Sequence, residues 1–217
     1  MLRKTVAAAL ALAAVACAAG ALAADLAIVD RLMPEKFSSA RPKDAVVDTI
    51  VIHFSSDVVA HPEAPYDVER VIKGYEAGPA STHFLVDRAG KVLRLVREER
   101  SAWHAGKGEL PFEPKRKNAL NGVSIGIELL GMGSKEDMKL WLKAEQYDKL
   151  KAEDKGFTDA QYKALAALID DLRARFPKIV KDRHHVVGHE EYAPGRRTDP
   201  GELFDWKRIG LAKERAK

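Results

Sequence analysis

Seven histidines and a single cysteine set the terms of any chemistry this 217-residue chain can do. The cysteine, Cys17, sits in an apolar leader, so a metal site in the remaining chain must be built from imidazole and carboxylate. That donor set is typical of catalytic zinc, which keeps a fourth position open. Two of the histidines stand where strands would deliver them. His53 follows Ile50-Val51-Ile52 and His189 follows Val186-Val187-Gly188, and sheet proteins gather ligands at strand ends. Asp199 lies further along, in a loop whose path is fixed by Pro194, Gly195, Pro200 and Gly201, and this could bring the carboxylate back beside His189. Singly, a strand-terminal His is more often structural, and an Asp before Pro is more often a turn former. The conjunction with Glu128 makes a complete hydrolytic set.

The elements that must position these groups are legible from pattern. Residues 49–54 form a β-branched run that reads as a buried strand. In 123–130, Val123, Ile125, Ile127 and Leu129 alternate with Ser124, Gly126 and Glu128. One face of that strand is apolar, and the other carries two small residues and then a carboxylate, which leaves room for a ligand. Residues 66–76 read as a helix ended by Gly78-Pro79, and 83–87 and 91–96 as a hairpin turning at 88–90. Thr158 and Gln161 form a capping-box signature ahead of Tyr162, Leu165, Ile169, Leu172 and Phe176, which predicts a helix stopped by Pro177. Val186-Val187 begins a last strand, and a short tail helix starts near Asp205. The stretch 135–155 is dense in both charge signs, with Leu140, Trp141, Tyr147 and Leu150 spaced for one helical face, and it reads as a solvated helix or insertion rather than a binding element. Residues 24–45 read as an extended lead-in. Strands mixed with helices and no strict βαβ repeat give an α/β or α+β fold, a sheet covered by helices in a single domain.

Composition narrows the class. With 46% hydrophobic residues, 10 Pro and 15 Gly, the chain is neither disordered nor fibrous, and one Cys excludes a disulfide scaffold. Arg3 and Lys4 precede an Ala/Leu/Val run ending in Ala21-Leu22-Ala23, which reads as an export signal over residues 1–23. A transmembrane anchor is the competing reading, but the run is short and rich in weakly apolar Ala. Removal of the leader takes two basic residues and no acidic one, so the net charge of +4 is halved. The remaining charge gives no reason to expect a nucleic-acid partner. Ala14-Val15-Ala16-Cys17 loosely matches a lipoprotein signal, which would place a lipid anchor on Cys17. The expected location is therefore the periplasm or cell envelope, free or membrane-anchored.

Five blocks in order carry a resemblance: 51–53 (Val-Ile-His), 81–87 (Ser-Thr-His-Phe-Leu-Val-Asp), 102–106 (Ala-Trp-His-Ala-Gly), 124–128 (Ser-Ile-Gly-Ile-Glu), and Gly188-His189 followed by 192–201. Together they resemble the type-2 N-acetylmuramoyl-L-alanine amidases, the family that includes the AmpD-like enzymes and is related to the peptidoglycan recognition proteins. The resemblance implies a central mixed β-sheet flanked by helices over residues 46–210, with 211–217 as a tail. It also implies a zinc ion held by His53, His189 and Asp199, and peptidoglycan or muropeptides as substrate. Glu128 would then be the catalytic acid/base. Arg197 stands where many relatives carry Lys and would stabilise the oxyanion; Arg keeps the charge but is bulkier and cannot lose its proton. His83, Trp103 and His104 would lie near the groove and contact substrate, with simple packing as the alternative for the two histidines.

A different class of function remains open on the same residues, a module that binds muropeptides without cutting them. So does hydrolysis of another amide or ester on this scaffold. His185, which shares strand parity with His189, is the rival metal ligand, while His184 and His61 carry no particular weight.

Overall fold

A computed structural model of the protein describes residues 26–212. The proposed export signal and Cys17 lie outside the described residues. Six strands form one mixed sheet in the order β1 (Ile28–Asp30), β5 (Val92–Arg94), β4 (Phe84–Val86), β7 (Ser124–Leu130), β3 (Thr49–Ser55) and β8 (Val186–Gly188). Only β4 and β5 run antiparallel; β3, β4, β7 and β8 point the same way, as do β1 and β5. A second, two-stranded antiparallel sheet pairs β2 (Ser38–Ala40) with β6 (Arg100–Ala102). The segment expected to be a plain lead-in therefore contributes an edge strand and half of the small sheet. Strands this short carry too little periodicity to be seen in sequence.

One face of the large sheet is apolar throughout. Ile50, Ile52, Phe84, Val86, Ile125, Ile127, Leu129 and Val186 pack against Leu165, Leu168, Ile169 and Leu172 of helix α4 (Asp159–Arg175). The capping box predicted for α4 is present: Thr158 Oγ1 accepts from Gln161 N at 3.1 Å, and Gln161 Oε1 accepts from Thr158 N at 2.9 Å. The Gln161 amide also donates to the Val86 and Leu130 carbonyls, at 3.2 and 2.8 Å, which ties the first turn of α4 to the ends of β4 and β7.

The opposite face is covered in two pieces with a cleft between them. Helix α1 (Val68–Ala77) begins at its Asp67 cap, two residues later than expected, and sets Val71 and Ile72 against Leu85, Leu93 and Leu130. On the other side Val51 and Val187 pack against Ala105, Leu110, Leu120 and Tyr192. Between these patches β3 presents His53 and β7 presents Glu128, directly opposite each other in the parallel register.

The charged stretch 135–155 does not form one helix. Helix α2 (Lys135–Met138) and helix α3 (Ala144–Asp148) are single turns, followed by a 3-10 turn at Ala152–Asp154. Tyr147 and Leu150 enter a satellite core with Val58, Met132, Met138 and Leu142, while Leu140 and Trp141 are left 47% and 39% exposed. The expected common face is split because the chain turns between the two short helices. The tail helix is likewise a 3-10 turn, Trp206–Ile209, capped by Asp205.

Candidate active site with a possible metal centre

The parallel direction of β3, β7 and β8 places their C-terminal ends together at one edge of the cleft, the position where α/β sheets bind ligands. His53 comes from β3. His189 begins helix α5 (His189–Tyr192) immediately after β8. Asp199 comes from the loop beyond, whose backbone carbonyl accepts from Glu190 N at 2.9 Å. All three are buried, at 1%, 2% and 5% exposure. Asp199 Oδ2 lies 2.7 Å from His53 Nδ1 and 3.0 Å from His189 Nδ1, and the two Nδ1 atoms are 3.0 Å apart.

The surrounding hydrogen bonds decide which atoms of this triad carry protons. Ser124 Oγ donates to the Leu120 carbonyl at 2.6 Å, so it is free to accept from His104 Nε2 at 3.1 Å. His104 Nδ1 is then an acceptor, and it takes the Nε2 proton of His53 at 3.0 Å. His189 Nε2 in turn donates to the Ala105 carbonyl at 2.8 Å. Each neutral imidazole thus spends its one N–H outward and turns a bare Nδ1 inward. Two lone pairs and a carboxylate oxygen converge at hydrogen-bond distance with no proton to share. Such a set is stable around a cation, and these three residues form the group that could hold a metal ion among the described residues. His185, the rival, is bonded instead through Nδ1 to Asp182 Oδ1 at 2.8 Å and stays outside the triad.

Electrostatics reinforce this arrangement. Burial, together with the neighbouring His189, lowers His53 to about 4, opposed by Asp199. For Asp199, burial alone would raise the pKa, but the adjoining His189 and His53 rings outweigh it, so the carboxyl is held well below its usual range and stays ionised. Glu128 is 8% exposed, and burial and the nearby Asp199 push its pKa well above the ordinary carboxylate value. Ser55, two residues beyond His53 on the same strand face, donates to Glu128 Oε2 at 2.6 Å and receives the Tyr75 hydroxyl at 2.6 Å. The sequence reading missed both Ser55 and Tyr75. Parity with His53 would have flagged Ser55, whereas nothing local marks Tyr75.

A cavity of about 320 Å³ opens over these groups. Its lining brings together His53, His189, Asp199, Glu128, Trp103, His104 and Arg197, along with Ser55 and Tyr75. Arg197 is half-buried, and the hydrogen bond found for its guanidinium goes to the Arg196 carbonyl at 3.3 Å, leaving most of its donors for a ligand. Met138 and Trp141 form a further wall. The charged stretch expected to be merely solvated therefore reaches the cleft.

His83, expected at the groove, is not part of that lining. It is fully buried behind Gly126: its Nδ1 accepts from Gly126 N at 3.0 Å and its Nε2 donates to the Arg100 carbonyl at 3.0 Å. Burial and the adjacent Arg41 lower it to about 3, so it serves as a neutral packing group. His104 lines the cavity and also holds His53. The glycine between Ser124 and Glu128 makes this possible, because a Cβ at Gly126 would lie 2.5 Å from the His104 ring.

The chain also matches known proteins. Residues 42–202 match the family model described as N-acetylmuramoyl-L-alanine amidase. The chain is 36% identical over 128 residues to the 1,6-anhydro-N-acetylmuramyl-L-alanine amidase AmpD of Haemophilus influenzae, covering 59% of this chain and 55% of that one. It is 30% identical to AmpD of Citrobacter freundii, over 82% of this chain and 87% of that one. Among solved structures, it resembles the Escherichia coli N-acetylmuramyl-L-alanine amidase AmiD in complex with its substrate anhydro-N-acetylmuramic acid-L-Ala-D-gamma-Glu-L-Lys. That match has a TM-score of 0.56 at 29% identity and covers 78% of this chain and 59% of that one. With the family model spanning most of the chain and the mixed sheet holding its polar cluster in the cleft, this protein belongs to the N-acetylmuramoyl-L-alanine amidase family.

Proposed function

We propose that the protein is a zinc-dependent amidase that hydrolyses the bond between N-acetylmuramic acid and L-alanine in peptidoglycan or its muropeptide fragments, in cell-wall turnover. The observation that carries this reading is the convergence of two unprotonated imidazole nitrogens and a carboxylate oxygen beside a buried glutamate. The site residues would be His53, His189 and Asp199 for the metal, Glu128 and Arg197 for the chemistry, and Trp103 and His104 on the substrate side. When bound there, zinc would lower the pKa of a water to about 7 and draw charge from the amide carbonyl.

The protein's own groups account for the remaining steps. Glu128 would accept a proton from the attacking water and return it to the departing alanine amine. Its raised affinity for protons suits both halves of that task, and the Ser55 hydroxyl fixes which carboxylate oxygen stays acceptor. Arg197, which lines the cavity, would meet the negative charge that develops on the carbonyl oxygen. His104 would keep Nδ1 of His53 available to the metal by holding its other nitrogen.

Defined muropeptides, ordinary and 1,6-anhydro, test the reading. Stem peptide should be released, release should stop with chelator, and added zinc should restore it. Tight binding with no release in the presence of zinc would replace the enzyme with a recognition module. The relatives named as anhydro-muramyl amidases support the anhydro form as a substrate. The leader at 1–23 supports an envelope location, and mass spectrometry of the mature N-terminus would separate cleavage near Ala23 from lipidation at Cys17.

A further inference from the structure

The strap formed by residues 133–155 reaches the cleft through Met138 and Trp141, but its buried carboxylate, Asp137, does not face the cavity. Asp137 is 8% exposed. Its Oδ2 accepts from Ser134 N at 2.8 Å, Ser134 Oγ at 2.9 Å and Glu202 N at 2.9 Å. Its backbone carbonyl accepts from Thr198 Oγ1 at 2.8 Å. Thr198 and Glu202 bracket Asp199, so both ends of the loop that delivers Asp199 are tied to this one residue.

The approach is close enough to dictate sequence on both sides. A Cβ on Gly201 would lie 2.4 Å from Asp137 Oδ2, and one on Gly133 would lie 2.5 Å from Asp137 Cβ. Gly201 also sits at φ +78°, a conformation other residues rarely adopt. Three donors meeting on one carboxylate oxygen form charge-assisted bonds, which are stronger and shorter than neutral ones. Loss of that oxygen leaves the Glu202 N–H without its partner and frees one end of the loop.

We propose that Asp137 is the positioning residue for Asp199: by clamping Thr198 and Glu202 it holds the loop so that Asp199 Oδ2 stays against the Nδ1 atoms of His53 and His189. The inference rests on the triad being the metal site. It makes the strap part of the metal centre's support, joined through α2 to the Met138 and Trp141 wall of the cleft.

Zinc affinity, read by competition with a chromophoric chelator, tests this on the full chain, with unfolding of the zinc-free protein measured alongside. Asp137→Ala should weaken zinc binding on the order of 10-fold, the lower end of what losing a direct outer partner of a metal ligand does, because Asp137 holds the neighbours of Asp199 rather than Asp199 itself. Asp137→Asn, which keeps an acceptor for Glu202 N, should recover most of the loss. A fold-only role would lower the unfolding midpoint while the folded variant bound zinc as the wild type does, and that result overturns the proposal. Should Asp137→Ala fail to fold, Thr198→Val removes only the second tether; a smaller loss of zinc affinity supports the clamp, and an unchanged affinity overturns it. Wild-type protein that binds zinc no better than His189→Ala would instead overturn the metal reading itself, and this inference with it.

Discussion

The two faces of strand β7 belong to different proteins in all but covalent chemistry. Ile125, Ile127 and Leu129 point into the α4 core, among hydrophobic side chains such as Leu165, Leu168 and Ile169. On the interleaved face, Ser124 and Gly126 lie against the His104 ring and Glu128 lines the cleft with its imidazoles, Asp199 and Arg197. The dry face supplies stability that the polar face lacks: each large side chain it buries contributes roughly 1.5–3 kcal/mol. The polar side of the sheet shifts proton affinities, lowering those of His53 and His83 and raising that of Glu128. A pleated strand allows this division because alternate side chains never share an environment.

Substitutions on the two faces should therefore fail in different ways. The largest effect is expected from His189→Ala or Asp199→Ala, which remove a metal donor; bound zinc and amide hydrolysis should both drop to background while the fold persists by circular dichroism. Glu128→Gln keeps the size and the metal but not the proton acceptor, so turnover should fall about 10²- to 10⁴-fold with zinc content unchanged. An active Glu128→Gln would break the assignment of chemistry to this face. Arg197→Ala should cost about 10²-fold in turnover, and Arg197→Lys should recover most of it if charge is what matters. A dead Arg197→Lys would mean that the planar fork is required.

On the dry face, Leu168→Ala should cost about 2–5 kcal/mol of stability by opening a cavity under the sheet, with turnover per folded molecule unchanged. A loss of activity at a temperature where the variant is fully folded would show that the two faces are coupled. The smallest effect concerns pH. His83 takes up a proton near pH 6.5 when unfolded but only at about 3 when folded, so the unfolded state binds the extra proton between those values. Stability should be complete above pH 6.5 and fall as the pH drops toward 3. Urea midpoints of the zinc-free protein across that window should decline less steeply for His83→Gln than for the wild type.

Much of this was legible in the chain itself. The apolar run before His53, the alternation around Glu128 and the capped period of α4 are local patterns, and each formed as read. The four residues of the candidate site followed from strand ends and a stiff loop. The misreadings share one cause, which is that they depend on partners remote in sequence. β1 and β2 exist because β5 and β6 are there to pair with them. His83 packs rather than binds because Arg100 and the backbone of Gly126 satisfy both its nitrogens. The 135–155 stretch looks solvated until Val58 and Met132 supply a core for Tyr147 and Leu150.

The sequence alone determined the inventory: which side chains could bind a metal, which could carry a proton, and which strands and loop would present them. It could do so because periodicity and residue type act over a few positions. Only the tertiary structure decided protonation and aim. The bare Nδ1 atoms of His53 and His189 depend on Ser124, His104 and the Ala105 carbonyl, and the angle of Asp199 depends on Asp137. A hydrogen bond reports on whatever the fold brings within 3 Å, and no local pattern encodes that.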